Sequence, residues 1–213
     1  MQLSKLTSNT NIIIFRIFLL LMSISSYIFL HGYRILNQQA LSQDFINFTN
    51  WTNYAVMIWL ILFFIWRNDA QKVSKLYGFP KGLLTMSMTI VGIVYFVLLS
   101  ADHNPPGILA FTTLQHHYII PILFIMDFIL TNQEEYSWKW LPYWLIYPII
   151  YLIFGLFYGY ATDVWVYFFI NIPELGLGTF FMWFAVLLSL FSIFGALYIL
   201  ISKKLNSKNN KMD

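Results

Sequence analysis

The chain has 213 residues, of which 59% are hydrophobic, 20% aromatic and only 10% charged. A soluble domain carries about 25% charged residues, so this chain has too little polar surface to coat a globule in water, and its solvent must be lipid. The net charge of +3 does not point to nucleic acid, because the basic residues form no stripe that could follow a phosphate backbone, and the absence of cysteine excludes disulfides, thiolate metal sites and a cysteine nucleophile.

Six apolar stretches are long enough, at about 1.5 Å per residue, to cross a hydrocarbon core of roughly 30 Å. They run from about Asn11 to Gly32, Phe48 to Trp66, Gly82 to Ser100, Ile108 to Leu130, Trp140 to Gly159 and Leu175 to Ile201. The first exceeds the apolar core of a signal peptide and ends in Tyr33 and Arg34 without a small-residue cleavage site, so it reads as a retained helix. The termini and the second and fourth loops hold Lys5, Arg67, Lys72, Lys75, Lys81, Lys139, Lys203, Lys204, Lys208 and Lys211. The other three loops hold Arg34 as their one basic residue, with Asp44, Asp102, Asp163, Glu174 and the rigid turn Asn104-Pro105-Pro106-Gly107. Both termini are therefore expected on the cytoplasmic side. Trp51, Trp66, Trp138, Trp140 and Trp165 fall near the expected boundaries, where amphipathic rings collect. With no internal repeat, linker or soluble module, residues 1–213 read as a single all-α integral membrane domain, a bundle of six helices.

An ionisable side chain within a span is costly enough to be a functional hypothesis by default. Arg16 lies early in the first helix and Asp127 late in the fourth; these helices run in opposite directions, so both residues fall near the cytoplasmic leaflet. They form an ion pair, or each reaches separately to the nearby interface. The outer third of the membrane is richer. The second helix opens with Thr49, Asn50, Thr52 and Asn53, and the fourth contains Thr112, Thr113, Gln115, His116, His117 and Pro121. Counted along the helices, Thr49 stands about 27 Å and His117 about 22 Å above the inner ends at Arg67 and Asn132. A hydroxyl and an imidazole at one depth on different helices are what a nucleophile and its general base require, since a free hydroxyl attacks an ester only once a base takes its proton. Pro121 cannot donate to the carbonyl of residue 117, so a bend and a freed carbonyl are expected beside the histidines. At about 100° per residue, Asp127 shares a side with His116, and His117 shares one with Thr113 and Pro121, so periodicity does not choose between the two imidazoles. The bland alternatives are helix-bridging threonines and asparagines and an interfacial, solvated histidine. The sequons at Asn47 and Asn50 are poorly placed for glycosylation if a membrane helix begins there.

Four short motifs follow one another along most of the chain: Phe48-Thr49-Asn50-x-x-Asn53, His117-x-x-x-Pro121 followed by Asp127-Phe128, Tyr147-Pro148-x-x-Tyr151, and Trp165-Val-Tyr167-Phe168-Phe169. In these the chain resembles the androgen-induced and androgen-dependent intramembrane hydrolases of animals, and more closely their bacterial six-helix relatives. The segment after the fifth helix departs from the bacterial pattern, with Phe168 and Asn171 where proline and aspartate are more typical. The resemblance implies a threonine nucleophile at Thr49 and a histidine base at His117, with His116 unassigned. It also implies lipid esters as substrates, branched fatty acid esters of hydroxy fatty acids in the animal members, and a bacterial plasma membrane as the location.

The expected mechanism is hydrolysis of a fatty acyl ester in a pocket of the outer leaflet, with Asn50, Asn53 and His116 as candidates for holding substrate or its oxyanion. It needs no metal or organic cofactor, and its partners are the bilayer and a lipid ester. Two other classes stay open. A haem or metal protein could use His31, His103, His116 or His117, with His31 and His117 as axial ligands. A transporter or non-catalytic partner protein is the other, although internal repeats are missing and buried charges few; an interior without an acyl-sized cavity would favour the partner role.

Overall fold

A computed structural model describes residues 8–101, 103–132 and 134–209, with side chains through Asn206. Lys5, Asp102 and Lys211, and the side chain of Lys208, all used above for orientation, lie outside the described residues. Among the described residues there is no strand, and six helices are long and apolar enough to cross a bilayer. They are α1 (Thr10–Leu36), α2 (Phe48–Trp66), α3 (Phe79–Val94), α4 (Ile108–Thr131), α5 (Leu141–Thr162) and α6 (Ile172–Asn209). The starts of α1, α3 and α5 and the ends of α2, α4 and α6 share one end of the bundle, here the terminal end; the opposite end is the distal end.

Local chemistry explains the helix starts. The Asn9 side chain accepts the N–H groups of Asn11 at 3.0 Å and Ile12 at 3.4 Å, capping α1. Along α1 the buried set Arg16, Leu19, Ser23, Ser26, Tyr27 and Leu30 forms one stripe, while Ile14, Leu21 and Ile28 are left for lipid. A short amphipathic helix, Ala70–Tyr77, is capped by Asp69 and buries Val73, Leu76 and Tyr77. The third span then starts earlier than its hydropathy predicts, at Phe79, because Pro80 sits in the first turn, where its fixed φ suits a helix and its missing N–H costs nothing.

That earlier start corrects one reading and resolves another. Lys81, assigned to a loop by hydropathy, is a fully buried residue of α3. The two intramembrane charges do meet: Arg16 Nε and Nη2 donate to the two Asp127 oxygens at 2.7 and 2.9 Å. Lys81 donates to the same carboxylate and to Thr131 Oγ1 at 2.7 Å, while Arg16 Nη1 donates to the Tyr77 hydroxyl at 2.5 Å. Arg16, Lys81 and Asp127 are each 0% exposed, so neither cation reaches separately to the interface. The second cation is partly offset by aromatic faces: the Arg16 guanidinium lies 4.2 Å from the Phe63 ring centre and the Lys81 ammonium 4.8 Å from that of Tyr77.

α3 is the central helix. Almost every residue from Lys81 to Val91 is buried, and its contacts reach α2, α4 and α6. Gly82 also admits a side chain of α5: a Cβ there would lie 2.3 Å from Trp144 Cζ2. Higher up, Thr89 of α3 and Tyr198 of α6 share a hydrogen bond of 2.6 Å. The result is a packed terminal half and a distal half that opens around α2.

Candidate functional site

The site begins at the first turn of α2. A helix start leaves backbone N–H groups without partners, and Asn47, the residue before the helix, makes no side-chain cap. The missing acceptor comes from the distal loop after α5, where the Tyr167 hydroxyl accepts the Phe48 N–H at 3.1 Å and also contacts Thr49 through its hydroxyl and its backbone. The Tyr167 ring stacks on Phe169, centroids 5.0 Å apart. Burial holds the Tyr167 phenol above its ordinary value, against the hydrogen bonds from Thr49 and Phe48, so at neutral pH it stays a protonated, uncharged hydroxyl.

The second part is a distortion of α4. Residues Gln115–Ile119 form a π turn in which Ile120 N–H donates to the Gln115 carbonyl. Pro121, next in line, has no N–H, so the His116 carbonyl lacks a donor in either helical register. Sequence reasoning located the carbonyl freed by Pro121 on residue 117 alone; the register shift extends the loss to 116. Asn53 of α2 supplies the substitute, its amide donating to the carbonyls of His116 at 3.2 Å and Thr49 at 2.9 Å. The His117 carbonyl packs against Gly92, where a Cβ would come within 3.3 Å of it.

The π turn sends the two imidazoles to different neighbours. His116 bonds Ser26 Oγ at 2.8 Å; the Ser26 hydroxyl already donates to the Ser23 carbonyl at 2.7 Å, so His116 Nε2 is the donor and Nδ1 carries the lone pair. His117 Nδ1 lies 3.0 Å from the Thr113 carbonyl, which can only accept, so Nδ1 is protonated and Nε2 is the basic nitrogen. The His117 ring stacks on Tyr95 with centroids 3.8 Å apart. Tyr95 opens a second π turn, Tyr95–Leu99, and its hydroxyl bonds His103 Nδ1 at 3.1 Å. Two π turns therefore face each other across the Tyr95–His117 stack.

These groups surround two cavities. A chamber of about 470 Å3 at the distal end, the more polar of the two, is walled by Arg34, Asp44, Asn47, Thr113, His116 and His117 together with apolar residues such as Leu30, Leu98 and Leu109. An apolar cleft lies between α3, α5 and α6, with Ile90, Val94, Leu152, Phe184 and Phe191 in its lining. Thr49, Tyr95, Leu99 and Tyr167 belong to both, so the threonine hydroxyl stands where polar and apolar space meet.

Of the residues expected to act together, Thr49 and His117 line the same chamber, but no hydrogen bond joins them, and the Thr49 hydroxyl is paired with Tyr167 instead. Asn50 and Asn53 do not fit the oxyanion role in this arrangement, because their amide groups are committed to backbone carbonyls, that of Asn50 to Asp44 at 2.7 Å. Asn53 Oδ1 is buried without a partner. Arg16 and Asp127 lie away from the chamber, with Asp127 about 15 Å of helix below His117. His31 bonds Asp44 at 3.0 Å and Tyr54 at 2.9 Å, so both ring nitrogens are engaged in a tether and it does not pair with His117. Sequence reasoning missed Tyr95 and Tyr167. The aromatic run from Trp165 to Phe169 was visible, but a tyrosine at a membrane boundary reads first as an interfacial anchor. No protein-family model, curated protein or solved structure matches this chain.

Proposed function

We propose that the protein is an intramembrane hydrolase of fatty acyl esters, with Thr49 as nucleophile and His117 as general base. The observation that carries this reading is the position of Thr49 at the junction of an apolar cleft and a chamber that His117 also lines. An ester is the group found where an acyl chain meets a polar head. In the reaction His117 Nε2 takes the Thr49 proton as Oγ bonds to the ester carbonyl carbon; the alcohol then leaves with that proton, and the acyl group remains on Thr49. Water adds to the acyl-threonine, His117 takes its proton and returns it to Oγ, and the free acid departs. The Tyr167 hydroxyl, which contacts Thr49, is the candidate donor to the developing oxyanion. No residue in this scheme calls for a metal or organic cofactor.

The motifs shared with the androgen-induced and androgen-dependent hydrolases and their bacterial relatives support the same chemistry, and membership of that family is part of the proposal. The lysines and arginines near the terminal end support cytoplasmic termini, with the chamber facing outward, and the resemblance to bacterial relatives supports a bacterial plasma membrane. The pairing of Thr49 with Tyr167 favours a second reading, a lipid-binding protein without catalysis.

Labelling of the detergent-solubilised protein by a fluorophosphonate separates the two. Loss of labelling in Thr49→Ala and in His117→Ala, with unfolding temperatures near that of wild type, is expected for the hydrolase. An unlabelled, folded wild type, or labelling that survives both substitutions, would leave the binding protein.

A further inference from the structure

The two cavities differ in chemistry, and that difference specifies what an occupant must look like. The cleft offers a bound molecule apolar side chains, with hydroxyl groups only from Thr49 and tyrosines. The chamber offers donors and acceptors from Asn47, Thr113, His103 and the imidazoles of α4, set between apolar stretches of wall such as Leu30, Leu98 and Leu109. An acyl chain in the chamber would strip water from these groups and return no hydrogen bond. A polar head in the cleft would lose its own. The cleft, about 100 Å3, suits the part of an acyl chain next to its ester, the chamber suits the polar head, and the neck between them, bounded by Thr49, Tyr95, Leu99 and Tyr167, is where the halves join.

The charge of the chamber narrows the head further. Asp44 is 1% exposed and held by Arg34 Nε at 2.8 Å and by His31 at 3.0 Å. Arg34 also donates to Gln39 at 2.8 Å and Gln43 at 2.7 Å. Among the described residues no other Asp, Glu, Lys or Arg lines the chamber. With Arg34 and Asp44 paired, their formal charges cancel and the wall presents no net charge to select an ionic head. An uncharged head with several hydroxyls disturbs neither and matches the mixed donors and acceptors of the wall.

Resting on the hydrolase reading for its reactive group, we infer that the site takes a single-chain ester with an uncharged polyhydroxyl head, of the monoacylglycerol class, with the ester-proximal part of its acyl chain in the cleft and its glycerol in the chamber. Hydrolysis adds one water across the ester bond and yields a fatty acid and glycerol. Diacylglycerols and wax esters are disfavoured because each would bring a second apolar arm into the chamber, and lysophospholipids because of their charge.

The test uses non-hydrolysable ethers, so that binding is read apart from catalysis. A 1-O-dodecylglycerol is expected to raise the unfolding temperature of the purified wild type at a concentration at least tenfold lower than a 1,2-di-O-dodecylglycerol, didodecyl ether or lysophosphatidylcholine. Asn47→Leu and Thr113→Val, which replace chamber polarity with methyl groups, are expected to weaken the alkylglycerol at least threefold and the dialkyl ether not at all. Equal response to the ether without a head, or tighter binding of lysophosphatidylcholine, would overturn the inference. Selective alkylglycerol binding without turnover of monoacylglycerol would remove the hydrolase reading and leave the binding specificity standing. Turnover of wax esters in preference to monoacylglycerol would do the reverse.

Discussion

Replacing Asp127 by Asn would remove the one carboxylate that two buried cations share, without changing the size of the side chain. At an effective dielectric near 20 and about 4 Å separation, each cation–carboxylate attraction is worth about 4 kcal/mol. The substitution deletes two such attractions and leaves Arg16 facing Lys81 with no carboxylate between them. Relaxation, water entry and neutralisation of the lysine return part of this, so the net loss is expected at about 3–5 kcal/mol, the range for breaking a buried pair on one side. Lys81→Met is the discriminating partner experiment. It keeps the two-pronged Arg16–Asp127 pair and the Tyr77 and Thr131 bonds while deleting the excess cation, so stability is expected within about 1 kcal/mol of wild type or above it. Unfolding in mild detergent, followed through the fluorescence of the eight tryptophans, reads both. With roughly 2–4 °C per kcal/mol for a chain of this size, Asp127→Asn should lower the midpoint by about 10 °C while Lys81→Met leaves it in place. Equal losses in the two variants, or a shift below about 2 °C for Asp127→Asn, would refute the reasoning that one carboxylate neutralises both cations.

Two further substitutions examine the walls of the site. Asn53→Ala leaves the His116 carbonyl with no donor in a helix that cannot supply one, and is expected to cost about 1–3 kcal/mol in the same unfolding assay; an unchanged midpoint would mean that water reaches this carbonyl. Tyr167→Phe keeps the stack on Phe169 but removes the acceptor for Phe48 N–H and the partner of Thr49, so stability should fall by about 1 kcal/mol. Fluorophosphonate labelling should fall by roughly tenfold, about 1.4 kcal/mol in the barrier, and labelling at the wild-type rate would restrict the hydroxyl to capping α2.

The membrane architecture was legible because each span must satisfy its own backbone in lipid, so length and apolar composition suffice to find it. Depth was legible as well, since a fixed rise per residue converts sequence position into height; Arg16 and Asp127, and separately Thr49 and His117, were matched on that basis alone. Rotation and register were not. Lys81 looked like a loop residue because hydropathy cannot see that Pro80 begins a helix, and its contact with Asp127 depends on how α3 turns against α4. The π turn at Gln115–Ile119 shifts every later residue of α4 relative to an ideal helix, which is why a 100° count could not say where His116 and His117 point. Tyr167 reaches Thr49 from a loop more than one hundred residues away in the chain, a meeting that no local pattern encodes. Composition and periodicity thus determined the solvent, the spans and the common depth of Arg16 and Asp127 by themselves, because these are properties of one helix in a bilayer. Which of those groups touch was decided by tertiary packing, because contact depends on the rotation of several helices at once.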